Sequence, residues 1–486
     1  MMRQRLPWAQ VILAAGLAGG ASLLLALGEF PMAGVLVASV LFVRLLLSGA
    51  WPITMVWLIG MPTVFVFLNG VLAGVPFLKA ERAAFALAGG AVLVRALFKR
   101  ADPLPFNGVE KAIWGLLALF TASMLMGMRG KDLADFVKFD VSYLVDGFAT
   151  SFLAYMIVRR CEWTEARVKA FLLMLSLVGV FLTVTAVLQL YAGVSAFEPE
   201  YAAVMHRRED RATGVFTGAV EFGAVAATCL LVAGALRYST SSSFSRGALA
   251  AVMVAVMAAV LLSKTRGVWV GLLASLVFLY AHDSRGRPLM NMLTITAVLA
   301  GVAVLPLVLD VDKLSQRVTD PVPIYNRLAA WAAAVNMSLQ NPLGVGLSRN
   351  GFGDAKDAYF VTFGPVSSLW AADVNVPHNE FLNILALTGV AGLALYLTVL
   401  VRMYKLLLGI WRRSALPLPV RTLALYAAAA LVGVTVNGFF VDISKFNYLY
   451  TLLFALAGVA SVAPVLWSAP DTPASPPDRA VRAQGR

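Results

Sequence analysis

Residues 168–192 read VKAFLLMLSLVGVFLTVTAVLQLYA, a run of 25 positions whose only charge, Lys169, stands near its start. A helix needs about 20 consecutive apolar residues to cross the hydrocarbon of a bilayer, so this run is long enough to span. Further apolar runs lie near 8–27, 31–48, 51–70, 81–98, 109–126, 141–158, 214–236, 247–263, 266–281, 289–309, 379–402, 421–441 and 446–467, which makes fourteen. The pattern predicts an all-α, polytopic membrane protein with about 14 transmembrane helices (12–14) and one long, partly helical periplasmic loop.

Composition leads to the same class. Of 486 residues, 60% are apolar and 13% charged, with a mean hydropathy of +0.80, whereas soluble domains carry about 25% charged residues. Fourteen helices use nearly all of the apolar residues, which excludes a soluble globular enzyme. The two cysteines, Cys161 and the mid-span Cys229, do not make a secreted disulfide framework. A net charge of +13 would suggest nucleic acid in a soluble chain. Here the basic residues sit in short runs between apolar stretches, so membrane orientation accounts for them better and no nucleic-acid partner is expected.

Met1-Met2-Arg3-Gln4-Arg5 precedes the first run like a signal sequence, but no small-x-small site follows before the second, so the first helix is expected to stay uncleaved. With fourteen spans both termini share a side. Assigning them to the cytoplasm puts 23 of the 39 Lys+Arg but only 7 of the 26 Asp+Glu inside. Lys99-Arg100, Arg159-Arg160 and Arg412-Arg413 then face inward, as the positive-inside rule expects.

One connection is not short. Residues 310–378, on the outer side, hold Pro321, Pro323, Pro342, Pro365 and Pro377, and within them a stretch from Tyr325 to Leu339 has helical spacing that stops at Asn341-Pro342. Loops of this length are usually functional or disordered, and short helices lying on the membrane are expected here. A second outer loop, 193–212, carries Glu198, Glu200, His206, Arg207, Arg208, Glu209, Asp210 and Arg211. The organisation expected is N-terminal transmembrane helices over 1–192, a catalytic region over 193–410, C-terminal helices over 411–467 and a proline-rich, disordered cytoplasmic tail over 468–486.

There is no Walker loop, Rossmann glycine pattern, CxxC or HExxH, so nucleotide-driven pumping and metalloprotease chemistry lack their physical requirements. Outer-face chemistry and transport remain. Transporters of ions usually keep charges at mid-bilayer, while here Glu221 and Arg95 are the main charges within spans and both lie near an end. Among the three histidines, His282 reads as a solvated loop residue, and His206 stands among charges in an outer loop. His378 closes the long loop directly before a span. There a neutral imidazole at the membrane surface suits proton transfer from a hydroxyl, and spacing alone leaves a structural part equally open.

His378-Asn379, nine residues, then Gly389-Val390-Ala391-Gly392 resembles the His-(Asn/Ser)-x9-Gly-x-x-Gly signature of the O-antigen ligase and O-antigen polymerase superfamily. These are lipid-linked glycan transferases. Arg211-Ala-Thr-Gly214-Val-Phe216, Thr265-Arg266-Gly267-Val-Trp269, and Arg327, Trp331 and Asn341-Pro342-Leu343-Gly344-Val345-Gly346 follow in the order seen in that superfamily, so the resemblance covers roughly residues 200–410. It implies a multi-pass glycosyltransferase of the bacterial inner (cytoplasmic) membrane, active at the periplasmic face in polysaccharide or lipopolysaccharide biosynthesis. The implied donor is a polyprenyl-diphosphate-linked glycan, of the undecaprenyl diphosphate type, and the acceptor is a hydroxyl of a glycan or of lipid A-core.

The matched residues fit that chemistry on their own terms. A glycan on a lipid diphosphate already has a good leaving group, so cations near the diphosphate and a base near the acceptor suffice, without nucleotide or other cofactor. Arg211 and Arg266 fall at outer ends of spans, where guanidinium forks suit phosphate oxygens and stabilise charge on the leaving group. Snorkelling to the interface is the plain alternative. Arg327 and Arg349 are further candidates for holding substrate, each against a loop-packing role. Glu380 is counted with them as a candidate for holding substrate, and is also open as a partner of His378, an alternative base or an ordinary span-end carboxylate. Gly389 and Gly392, three apart on a helix, permit close packing against a neighbouring span.

The superfamily's Arg-x15-Gly and Arg-x10-Gly polymerase patterns match from Arg207 to Gly223 and Gly218, but among 39 glycines such spacings arise easily and carry no weight. The expectation is a metal-independent, inverting transferase, either O-antigen ligase or O-antigen/exopolysaccharide polymerase, with His378, Arg266 and Arg211 as its catalytic residues. The alternative from another class is a lipid-linked oligosaccharide flippase or other polysaccharide transporter, which would need a polar path through the spans.

Overall fold

A computed structural model describes residues 49–63, 79–98, 104–128, 131–193, 211–283, 322–359 and 376–467. All regular structure among them is helical. We number the helices α1 (Ala50–Gly60), α2 (Ala80–Phe98), α3 (Gly108–Met126), α4 (Leu133–Arg159), α5 (Glu165–Tyr191), α6 (Ala219–Ser239), α7 (Ser243–Leu262), α8 (Arg266–His282), α9 (Val322–Gln340), α10 (Gly351–Ala355), α11 (Glu380–Arg412), α12 (Leu418–Asn437) and α13 (Asn447–Leu466).

Eight of the described helices are long and apolar enough to cross a membrane: α3, α4, α5, α6, α7, α11, α12 and α13. The shorter α1 and α8 are apolar as well, at 11 and 17 residues. α2, at 19 residues, is helical across the predicted 81–98 run. Of the fourteen expected spans, those at 8–27, 31–48 and 289–309 lie outside the described residues, as do residues 64–70 of the third and the tail at 468–486.

The centre of the bundle is α6, with α5, α7, α12 and α13 around it. α6 is mostly Ala, Gly, Val, Leu and Cys beyond Glu221 in its first turn and is buried along nearly its whole length, as expected of a helix that is apolar on nearly every side. α8 meets α12 at backbone range, where a Cβ on Gly271 would stand 2.6 Å from the Gly433 carbonyl oxygen, and Ser275 Oγ donates to Ala429 O at 2.8 Å. Such small residues let helices approach where lipid provides no hydrophobic drive between them.

The charges sort to the two ends of the bundle. At one end Asn107 caps α3 by accepting from Val109 N and Glu110 N, and Glu110 returns a bond to Asn107 N. The fully buried Glu110 carboxylate also takes Arg159 at 2.7 Å and Arg160 at 2.5 Å. Arg95 pairs with Glu162 at 2.9 Å at this same end, so it lines no path through the spans. Breaking a buried pair leaves an uncompensated charge and costs about 3–5 kcal/mol. Glu110→Ala should therefore lower the melting temperature of the purified protein far more than Glu165→Ala, whose carboxylate is exposed and pairs only with Lys169.

α11 is broken inside its apolar run. Gly389 has φ 70°, ψ −172°, a conformation open to glycine and strained for any residue with a Cβ. The break frees carbonyls in a region without water, and each needs a partner. The loop after α9 supplies them: Val345 N donates to Ala386 O and Gly346 N to Leu387 O, both at 3.0 Å, and Val390 N donates to Pro342 O. Ser123 of α3 adds its hydroxyl to Leu387 O. Of the two glycines expected to pack a neighbouring span, Gly389 does something else. Gly389 receives backbone of the Pro342–Gly346 segment, and only Gly392 meets a span, through the Leu119 side chain at 3.3 Å.

Helical spacing in the long loop is realised as α9, which begins at Val322, packs on α11 and ends at Gln340, directly before Asn341-Pro342. α4 departs from regular helix in two π-helical segments, Phe136–Val141 and Val145–Ala149. Both lie at the end opposite Arg159, and π-bulges recur at functional sites.

Candidate functional site

His378 is half exposed and sits in a left-handed turn, φ 50°, a conformation uncommon for a non-glycine residue. Its neighbours hold it there. Asn379 is the N-cap of α11, its side chain accepting from Phe381 N and Leu382 N at 3.1 Å, which uses the residue type that caps best. The same residue ties the turn to the α12–α13 connection: Asn379 N donates to Asp442 Oδ1, and Glu380 N donates to Gly438 O at 2.8 Å. From the other side Trp331 of α9 donates its indole N–H to Pro377 O at 2.9 Å. The histidine thus projects from a junction of α9, α11, α12 and α13.

Around it stand charges from three separate segments. His378 Nδ1 is 3.9 Å from Asp442 Oδ2. Burial lowers the imidazole to about 4, and Arg327 and Lys445 push it the same way. At neutral pH it is uncharged, so its contact with Asp442 is not an ion pair. Burial raises the Asp442 carboxyl to about 6, opposed by Lys445 and by backbone N–H groups of Asn379 and His378. Burial likewise lowers the Lys445 ammonium, with Arg349 adding to the effect and Asp442 opposing it. Arg327 and Arg349 are both exposed. The result is a neutral, half-open imidazole flanked by Arg327 and Lys445, with Arg349 within electrostatic range of Lys445 and the neighbouring Asp442 carboxylate buried.

Glu380 is fully buried and turned away from this surface. One carboxylate oxygen accepts from Ser444 N and Ser444 Oγ, at 3.0 and 3.1 Å, and the other from Tyr450 Oη at 3.3 Å. Of the parts open to it, contact with substrate is the one its burial removes. It anchors the turn that carries Asp442 and Lys445.

Arg211 and Arg266 lie at the same end of the bundle. The Arg211–Phe216 segment is strapped to α5 by Gln189, which accepts from Thr213 N and Gly214 N, and to α7 by Ala212 N donating to Leu262 O at 3.1 Å. Phe216 stacks on Tyr448 of α13 at 6.0 Å. Arg266 is exposed in the first turn of α8. Trp269 Nε1 ties that turn to Val260 O of α7, and a Cβ on Gly267 would meet Asn437 Oδ1 at 2.8 Å. The segments that carry the two arginines reach residues 437–448 through Phe216 and Gly267. Glu221, the other in-span charge, is buried in the first turn of α6 with the Tyr448 backbone as a hydrogen-bond partner.

Sequence reasoning passed over Asp442 and Lys445. Their signal was available: two ionisable residues three positions apart, in a tight turn between spans on the predicted outer side. It also passed over Lys131, Asp140 and Ser348, which form a bonded cluster beside Arg349 with Lys131 Nζ to Asp140 at 2.7 Å and Ser348 Oγ donating to Asp140 at 2.5 Å.

No curated protein matches the chain. Residues 231–397, a stretch that holds Arg266, Arg327, Arg349, His378 and both motif glycines, match the family described as O-Antigen ligase. It is the O-antigen ligase family, then, that the central region of this multi-pass membrane protein matches.

Proposed function

We propose that the chain transfers a glycan from a polyprenyl-diphosphate donor to a hydroxyl acceptor at the periplasmic face of the bacterial inner membrane, as O-antigen ligase or polymerase. The family match speaks for a membrane glycosyltransferase of this type. The observation that carries the finer reading is the neutral imidazole of His378 beside Arg327 and Lys445. A base that accepts a proton and cations that hold an anionic leaving group are the two requirements of the reaction.

With Nδ1 of His378 turned to Asp442, Nε2 is the nitrogen that takes the acceptor's proton. The acceptor oxygen attacks the anomeric carbon, the bond from that carbon to the diphosphate oxygen breaks, and the electron pair leaves on the lipid diphosphate. Attack opposite the leaving group inverts the anomeric configuration. Arg327, Arg349 and Lys445 hold the diphosphate together with Arg211 and Arg266, stabilising the charge that develops there. Donor binding also prepares the base. A diphosphate beside Arg327 and Lys445 offsets the charges that depress the imidazole, so its proton affinity rises when substrate is present.

The charge in this scheme comes from side chains. Transfer is expected to continue at an undiminished rate in excess EDTA, and loss of activity with chelator would overturn metal independence. A deletion strain decides between the two activities. Lipid A-core bearing a single repeat marks a lost polymerase, unattached long chains on the polyprenyl carrier mark a lost ligase, and normal surface glycan would refute both.

A pH prediction follows from the same cluster. Lys445 lowers both His378 and Asp442, so Lys445→Gln raises both groups. The acid limb of kcat/KM, which reports free-enzyme groups, then moves to higher pH. A limb unmoved or moved to lower pH would show that the cluster does not act in the reaction.

A further inference from the structure

Two serines at the site each directly precede a cation, and both are gripped by one face of α4. Ser348, before Arg349, donates to Asp140 Oδ1 at 2.5 Å, while Lys131 Nζ bridges the Ser348 hydroxyl at 3.1 Å and Asp140 at 2.7 Å. Ser444, before Lys445, meets the Tyr143 hydroxyl at 3.2 Å. A Cβ on Gly147, one turn further along α4, would stand 2.9 Å from the Ser444 carbonyl oxygen. Asp140, Ser348, Tyr143 and Ser444 are all buried, and Asp140 is only 1% exposed. The cations that follow the serines are exposed, and Arg349 lies within electrostatic range of Lys445.

Resting on the reading of this surface as the donor site, we propose that α4 sets the spacing of the Arg349–Lys445 cation pair, with Asp140 and Tyr143 as positioning residues that act through Ser348 and Ser444. Arg349 and Lys445 come from a loop and a turn far apart in the chain, and they repel each other. Without a common support they would separate, and a diphosphate needs two cations at a set distance. Asp140 lies in the first π-helical segment and Tyr143 directly between the two. The widened turns bring both residues onto the face that reaches the serines. Glu380 backs the second arm by accepting from Ser444 N.

The test uses the full-length protein in nanodiscs and a short-chain prenyl diphosphate as the probe. Asp140→Asn should weaken probe binding about 10-fold, the loss typical of a charge-assisted hydrogen bond, as should Ser348→Ala. Ser348→Thr, which keeps the hydroxyl, should restore it. Combined with Arg349→Ala, Asp140→Asn should add nothing, because a positioning residue has no effect once the group it positions is gone. A merely structural role would give additive losses and a lowered melting temperature in every background. Wild-type affinity in Asp140→Asn, or additivity with Arg349→Ala, overturns the inference while leaving the donor site standing. A wild-type protein that does not bind the probe overturns the donor site itself.

Discussion

His378→Ala abolishes glycan transfer while leaving the protein folded and in the membrane. A positioned general base contributes about 10²–10⁴-fold to rate, and no other described histidine stands at this end of the bundle, since His282 closes α8 at the opposite end with its ring against Phe278. The side chain is half exposed and none of its own atoms caps the helix, a task left to Asn379. Stability should therefore change little, since alanine keeps a Cβ and the φ of 50° is as strained in the variant as in the wild type. His378→Gln keeps polarity but not basicity and should be as inactive as the alanine variant. Measured as turnover of lipid-linked donor by purified protein, the expected loss is at least about 100-fold. In cells the variant should resemble the deletion strain. Surface polysaccharide of normal length and attachment in His378→Ala would sink the transferase reading and favour carriage of lipid-linked oligosaccharide across the bilayer.

Gly389→Ala should unfold the centre of the site. Two costs coincide there. A Cβ in the left-handed region is unfavourable by about 1–2 kcal/mol, and this one would fall on the Pro342 carbonyl oxygen and within 2.8 Å of Leu343 backbone. Overpacking adds about 1–3 kcal/mol, and the neighbour is loop backbone already bonded to Ala386 O and Leu387 O, so it cannot give way cheaply. A total of about 2–5 kcal/mol is expected, with the loop that carries Arg349 displaced as well. Thermal unfolding in detergent, followed by tryptophan fluorescence, checks the first effect. Proteolysis of the 341–351 segment checks the second. Gly115→Ala, on an exposed face of α3 with open space at its Cβ, is the control and should gain up to about 1 kcal/mol in helix propensity. If Gly389→Ala melts with wild type, the helix break is not what the glycine is for.

The helices were legible because a span is a local property. A run of about 20 apolar residues commits itself to the bilayer whatever it packs against, and Asn379 reads as a cap from its place before the run. The helix ending at Gln340 was legible too, since Asn341-Pro342 stops a helix by local sterics. The break at Gly389 was not. A glycine in an apolar run reads the same whether it faces a neighbouring helix or bends its own, and the difference here is set by Pro342, 47 positions away.

The site divides along the same line. His378, Arg211, Arg266, Arg327 and Arg349 are exposed or half-exposed polar residues at the ends of apolar runs, and their residue types alone suggested proton transfer and phosphate binding. Glu380 looked like one of them and is instead buried under Ser444. Asp140 and Tyr143 gave no signal, since their partners Ser348 and Ser444 lie 208 and 301 residues away. By itself, then, the sequence determined that this chain is a helical membrane protein, which charges gather at which ends of its helices, and which residue types are able to do chemistry there. Those properties are sums over neighbouring residues. Tertiary structure alone decided which charges face a common surface and which are buried to hold them, because pairing across hundreds of residues acquires its energy only after the helices have packed and excluded water and lipid between them.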